Sequence, residues 1–293
     1  MNTRCLLSAF LCMIMSAVFA EEPAASQTKE RLVVMGGPIT EIVFALGGEK
    51  DIVGVDKTSL YPARAQKFPQ VGVVRAISPE GVLSMNPTKI ISSSSLGPPA
   101  AASQLKASGI PLVLVDNPKS EKSLMEAIAT LGKEINREKE AEELIKKLTD
   151  ELAVVNELAS KQTSPRVIFL MGMAGSLSAA GEETQAGGIL SMAGGKNIFS
   201  GFRGYKPVSE EAILEAKPDF ILVANHTSQG DVSAPDDPKK LLQKFGFKSV
   251  NALEKTKIVP IDMGEFLIIG PRTGETALKL AKIFSKPADT AGN

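Results

Sequence analysis

Short apolar runs recur along the chain, each separated from the next by helical or loop pattern. Residues 31–35, 89–92 and 111–115 are rich in Val, Ile and Leu, and the same pattern restarts at 166–171, 219–224 and 257–262. Buried strands alternating with helices predict an α/β fold with mostly parallel sheets. The restart is an internal repeat. Residues 78–91 align with 209–222, pairing Ser78 with Ser209, Glu80 with Glu211, Leu83 with Leu214, Pro87 with Pro218 and Ile90 with Ile221. Each copy predicts a capped helix, a proline stop and a buried strand. Two copies predict two similar lobes.

Between the copies the apolar period becomes helical. Leu124, Ile128 and Leu131 mark a helix ending near Gly132. Asn136 is the expected N-cap of a second helix, with Glu138 and Glu140 in the favourable first turn. Ala141, Ile145, Leu148, Leu152 and Val155 keep a spacing of three or four to about Ser160. That helix spans roughly 36 Å at the ordinary rise, enough to cross from one lobe to the other as a strut; the alternative is a long surface helix on one lobe. The predicted division is a leader over 1–20, a first lobe over 21–134, an inter-lobe helix over 135–162, a second lobe over 163–286 and a loose tail over 287–293.

The leader rests on Arg4, the apolar run that follows it and the small residues before Glu21, the pattern of a cleaved secretory signal too short to span a membrane. Ala9-Phe10-Leu11 precede Cys12 and lack the small residues that a lipid-anchoring signal places beside its cysteine. Both cysteines, Cys5 and Cys12, leave with the leader, so the exported chain is expected to carry no disulfide. No later stretch is long and apolar enough for a membrane helix, so no membrane insertion of the mature chain is expected. Lysines and arginines number 33, as do aspartates and glutamates. That balance gives no basic excess for nucleic acid.

The candidate chemistry is that of binding. One histidine, His226, remains in the exported chain, which argues against a zinc site of several histidines and against a Ser-His-Asp hydrolase. The Gly36-Gly37-Pro38 turn between a strand and a helix either offers backbone N–H groups to an anion or is simply tight. Ligands of open α/β sheets bind beyond the carboxyl ends of the strands, and two facing lobes form a cleft there. Tyr61, one of two tyrosines, lies just past a strand expected over 51–55, in a loop stiffened by Pro62. A ferric ion beside a phenol favours the phenolate, and tyrosine is a known ligand of haem iron. A loop tyrosine otherwise packs or hydrogen-bonds.

Gly54-Val55-Asp56-Lys57-Thr58-Ser59-Leu60-Tyr61-Pro62 resembles the signature of periplasmic haem-binding proteins that supply ABC haem importers. The resemblance continues through residues 71–81, 178–181, Gly204-Tyr205-Lys206-Pro207 and Gly270-Pro271-Arg272-Thr273, over nearly the whole exported chain. The first motif and Gly-Tyr-Lys-Pro are characteristic of the haem branch; the others are shared with receptors for cobalamin and siderophores. The resemblance implies a helix-linked, two-lobed (class III) substrate-binding protein. It implies a non-enzymatic periplasmic monomer that binds haem as cargo, ligates its iron through Tyr61 and delivers it to an inner-membrane ABC permease dimer. The alternative cargo is cobalamin or a ferric siderophore.

The resemblance also assigns further residues. Some relatives have a histidine in the loop before the Ala-Ala-Gly motif; residues 170–175 contain none, and Met173 offers its thioether to iron, packs on the porphyrin or belongs to the core. An arginine that follows the strand at 219–224 in many relatives is replaced by a segment containing His226, which takes that role, ligates iron or faces solvent. Arg75, Lys206 and Arg272 are the cations expected near the haem propionates, and Tyr205 stacks on the macrocycle, bonds a propionate or packs under its loop. Glu80 and Glu211, equivalent in the repeat, are the expected permease-docking carboxylates, or else ordinary first-turn acids.

Overall fold

The computed structural model describes residues 29–173, 176–225 and 238–285. The expected leader, His226 and the expected tail lie outside the described residues.

The first lobe is built from β1 (Leu32–Met35), α1 (Gly37–Ala45), β2 (Ile52–Val55), β3 (Gly72–Val73), β4 (Ala76–Ile77), α2 (Pro79–Leu83), β5 (Lys89–Ser93), α3 (Pro99–Ala107), β6 (Leu112–Val115) and α4 (Glu121–Glu134). Its main sheet runs β2-β1-β5-β6, every pairing parallel. A 23-residue helix, α5 (Glu138–Ser160), leads to the second lobe. That lobe contains β7 (Arg166–Met173), β8 (Ser176–Ala180), α6 (Gln185–Met192), β9 (Lys196–Asn197), β10 (Tyr205–Pro207), α7 (Glu210–Glu215), β11 (Phe220–Asn225), α8 (Pro238–Lys244), β12 (Lys257–Asp262), α9 (Met263–Phe266) and α10 (Thr273–Phe284). Here β7, β11 and β12 are parallel, while β8 turns back on β7 and β10 turns back on β8. The predicted α/β fold with two lobes is therefore present, and the second sheet is mixed.

The repeat extends further than the aligned stretch. Ser78 and Ser209 are the N-caps of α2 and α7. Each helix is followed by a residue at positive φ, Asn86 at 48° and Lys217 at 43°, just before the matched prolines. Such a turn leaves carbonyls without helical partners. An arginine at the start of each lobe's first strand takes them: Arg31 donates to the carbonyls of Met85 and Asn86, and Arg166 to those of Ala216 and Lys217.

Alternation along the strands gives each sheet two apolar faces. Leu32 and Val34 of β1, Val167 and Phe169 of β7, and Phe220 and Leu222 of β11 all enter one core, joined by Leu148, Leu152 and Val155 of α5. Val33 and Met35 face a separate core in the first lobe, and Ile168, Leu170, Ile221 and Val223 another in the second. The long helix is thus a strut whose apolar face is shared by both lobes. Its N-cap differs from expectation: it is Arg137, with no side-chain cap, and Asn136 sits at φ 54° in the turn between α4 and α5. Asparagine tolerates that left-handed geometry, and the chain needs it there to reverse direction within three residues.

Candidate functional site

Segments at the carboxyl ends of the strands meet where the lobes join. Gly37 opens α1 just past β1; a Cβ there would lie 3.3 Å from Ile268, which follows β12 and α9, and 3.0 Å from the carbonyl of Thr58. A side chain there would press on both neighbours. The loop from Asp56 to Pro62 fills the space beside it.

Asp56 organises this loop. Its side chain is fully buried. One carboxylate oxygen accepts the Gly36 amide at 2.8 Å and the Ser59 hydroxyl at 2.7 Å; the other accepts the Thr58 hydroxyl at 2.7 Å and the amides of Thr58 and Val74 at 3.1 and 3.3 Å. The bond to Thr58 is an Asx-turn, the local geometry that aspartate favours. The glycine turn after β1 does present an amide to an anion, and the anion is the chain's own carboxylate. Ser59 also bonds Thr40 of α1 at 2.6 Å. The Lys57 amide donates to Gly72 at 2.7 Å and attaches the β3–β4 hairpin.

On this fixed base Tyr61 is 46% exposed, with Leu60 and Val73 exposed nearby in sequence and on the attached hairpin. The Tyr61–Pro62 peptide bond is cis. The Arg272 guanidinium lies 3.9 Å from the centre of the Tyr61 ring, a cation over an aromatic face. Arg272 also donates to both carboxylate oxygens of Glu41 on α1, at 2.7 and 3.0 Å, and to the carbonyl of Gly264 at 3.0 Å. Burial pushes the Glu41 carboxyl above the ordinary carboxylate range, and Arg272 only partly offsets this. Burial acts against the charge of Arg272, but the hydrogen bond and charge of Glu41 outweigh it and raise the Arg272 pKa above its ordinary value. A small cavity of about 270 Å³ lies behind, lined by Glu41, Phe44, Tyr61, Arg64, Lys147 and Arg272 among others.

The other expected residues are more scattered. Arg75 is exposed on the turn between β3 and β4, and its carbonyl abuts Gly97 in the loop after β5, on the same rim as Tyr61. Met173 is the last residue of β7, at that strand's carboxyl end. Tyr205 turns inward against Phe169, 6.3 Å between ring centres. Burial pushes its phenol up, partly countered by hydrogen bonds with the Ala186 backbone and Thr184. Lys206, on the same edge strand, reaches over the Phe202 ring. Arg272, expected to be a propionate partner, directs its Nε and Nη2 donors to Glu41 and Gly264.

Glu80 and Glu211 occupy the second position of α2 and α7, one per lobe, and both are exposed. The Glu211 carboxyl is held below its usual range by its own backbone N–H and by the Ser209 hydroxyl. Its neighbour Glu210 instead accepts from the Lys248 and Ser249 amides and the Ser249 hydroxyl. A larger groove, about 1060 Å³, lies against α5 between the start of α4 and α6, lined by Lys119, Glu126, Asn156, Thr184 and Lys196 among others. Charges of both signs line it, and no expected site residue does; the chemistry stays with the Tyr61 rim.

Asp56 and Glu41 escaped sequence reasoning as site residues. The signal for Glu41 is a lone acid in the otherwise uncharged Gly37–Ala45 helix; for Asp56 it is the Asp-Lys-Thr-Ser turn pattern.

Residues 32–263 match the family model for periplasmic binding proteins. The fold superposes on the periplasmic heme-binding protein RhuT from Roseiflexus sp. RS-1 in apo form with a TM-score of 0.75 and 31% identity, covering 89% of this chain and 100% of that one. The chain is 27% identical over 248 residues to the ABC transporter substrate-binding lipoprotein YvrC of Bacillus subtilis (strain 168), covering 83% of this chain and 76% of YvrC. It is 26% identical over 207 residues to the vitamin B12-binding protein of Yersinia pestis (strain Pestoides F), covering 70% of this chain and 73% of that protein. Two lobes on a strut, a rim at the carboxyl ends of the strands and a family match across both lobes lead to one assignment: the chain belongs to the periplasmic binding protein family, the substrate-binding, non-enzymatic components of ABC transporters.

Proposed function

We propose that this protein captures haem at the junction of its lobes in the periplasm and delivers it to an ABC permease, with Tyr61 as the ligand to iron. The observation that carries this reading is an exposed phenol on a loop fixed by a buried, five-fold hydrogen-bonded Asp56. A ligand atom held by rigid surroundings loses little freedom on binding. Leu60 and Val73 add exposed apolar surface for the porphyrin, and Arg75 on the same rim suits a propionate. Met173, at the end of β7, is the second-lobe residue proposed to face the haem. Tyr205 and Lys206, which also lie against Phe169 and Phe202, are proposed as further second-lobe contacts to the haem. Glu80 and Glu211, one exposed acid per lobe at matched helix positions, are the proposed contacts with the permease. Similarity to the heme-binding RhuT supports the cargo assignment.

Titration of ferric haem into wild type and Tyr61→Phe tests it. Wild type is expected to shift the haem absorption spectrum to that of a tyrosinate complex, and Tyr61→Phe to lose that band. Identical spectra would remove Tyr61 as ligand. A second cargo, cobalamin, is favoured by the similarity to the vitamin B12-binding protein. Cobalamin binding without haem binding would establish it instead.

A further inference from the structure

We propose that Arg272 is a positioning residue that presents Tyr61 to its ligand and ties that presentation to the contact between the lobes. Arg272 precedes α10 in the second lobe, whereas Tyr61 and Glu41 belong to the first. One guanidinium joins all three parts: a bidentate pair to Glu41, a bond to the Gly264 carbonyl of its own lobe, and the face of the Tyr61 ring. Glu41 is almost wholly buried, its side chain 3% exposed against 19% for that of Arg272. The pair therefore sits at a fixed point of the junction.

The consequence is mechanical. With the lobes in contact, the Arg272 guanidinium sits over the Tyr61 ring, and Tyr61 is still 46% exposed. If the second lobe moves away, Arg272 either leaves Glu41 and the Tyr61 ring together or gives up its bond to Gly264. The Tyr61 loop is fixed by Asp56 up to Ser59, but the ring itself lies two residues further on. Among the described residues, Arg272 supplies the only cation over that ring. A lysine in its place would keep the charge and lose both the planar stack and the two-pronged pair. The geometry thus requires arginine here.

This inference rests on Tyr61 being the cargo ligand, and its test has two arms. In the first, spin labels at introduced cysteines, Lys106→Cys and Lys255→Cys, report the distance between the lobes in ligand-free protein with Cys5 and Cys12 absent. Arg272→Lys and Glu41→Gln are expected to broaden that distance distribution, and an unchanged distribution overturns the coupling. In the second arm, transfer of haem to excess apomyoglobin is timed. Arg272→Lys is expected to release haem about two- to fivefold faster, the size carried by losing an exposed cation–ring contact, and to shift the tyrosinate band. Wild-type release and spectrum in Arg272→Lys overturn the positioning role. If wild type takes up no haem, the cargo reading fails, and the distance arm alone decides whether Arg272 ties the lobes.

Discussion

Replacing Asp56 with alanine is the sharpest perturbation of the site that leaves Tyr61 itself intact. The carboxylate accepts five hydrogen bonds, but they are not equal in consequence. Thr58 is exposed, so its amide and hydroxyl can turn to water. The Ser59 hydroxyl keeps its bond to Thr40. The amides of Gly36 and Val74 are buried bonds to Asp56 and lose their acceptor. Each buried donor left unsatisfied costs about 1–3 kcal/mol, so Asp56→Ala should lose about 2–6 kcal/mol. That is a large part of the 5–15 kcal/mol typical of a folded domain. Gly36 has little room to shift its amide, because its φ is 107° and a Cβ there would lie 2.9 Å from Ser93. Urea unfolding measures the loss, and haem titration of protein still folded measures the looser Tyr61. A change in unfolding free energy below about 0.5 kcal/mol, with unaltered haem binding, would refute the claim that Asp56 holds this rim; that is the range of ordinary surface substitutions.

Two further outcomes follow from charge. Glu41 titrates above the ordinary carboxylate range because burial outweighs Arg272, so its ionised form costs stability, and that cost disappears as pH falls through the raised value towards 4.5. The charged groups around it are Arg272 and, lining the adjoining cavity, Arg64, Lys147 and Glu275; unfolding free energies between pH 4.5 and 7.5 should show this component in wild type and not in Glu41→Gln. Glu80→Ala and Glu211→Ala should leave the haem spectrum unchanged and lower uptake through the reconstituted importer, each alone and more so together; full uptake by the double variant would assign both residues to their helix ends only.

The strands and the strut were legible because alternation and helical period are properties of the sequence itself. The repeat was legible at Ser78, Glu80 and Pro87, yet its most physical feature was not. Arg31 and Arg166 satisfy carbonyls some fifty residues away, a pairing that no local window contains. Asn136 illustrates the opposite error: a residue favoured at a helix start is also favoured in the left-handed turn before one, and the short link between α4 and α5 needed the turn. At the site, Tyr61 could be picked from its loop and its proline. Arg272 could be flagged as a nearby cation but not assigned its partner, because Glu41 lies 231 residues earlier and on the other lobe. The β8–β10 reversals were missed because their residues, Ala179 and Ala180 among them, carry weak strand preference.

The distribution of contacts between the lobes bears on how cargo is released. Behind the rim, the inner faces of both sheets share one core with Leu148, Leu152 and Val155 of α5. Stripping either lobe from that helix would uncover side chains worth about 1.5–3 kcal/mol each when fully exposed. At the rim, the contacts include Ile268 against Gly37, Arg272 against Glu41 and the Tyr61 ring, and the Lys119 carbonyl against Gly188. An ion pair can exchange its partner for water, or for a charge on another protein, at far lower cost than a hydrophobic core can be opened. Movement is therefore expected to concentrate at the mouth, with the strut as pivot. A permease that gripped the two lobes through Glu80 and Glu211 would part that pair, and the same movement would withdraw Arg272 from the ring of Tyr61. Opening of the mouth and weakening of the cargo's hold would then be one event.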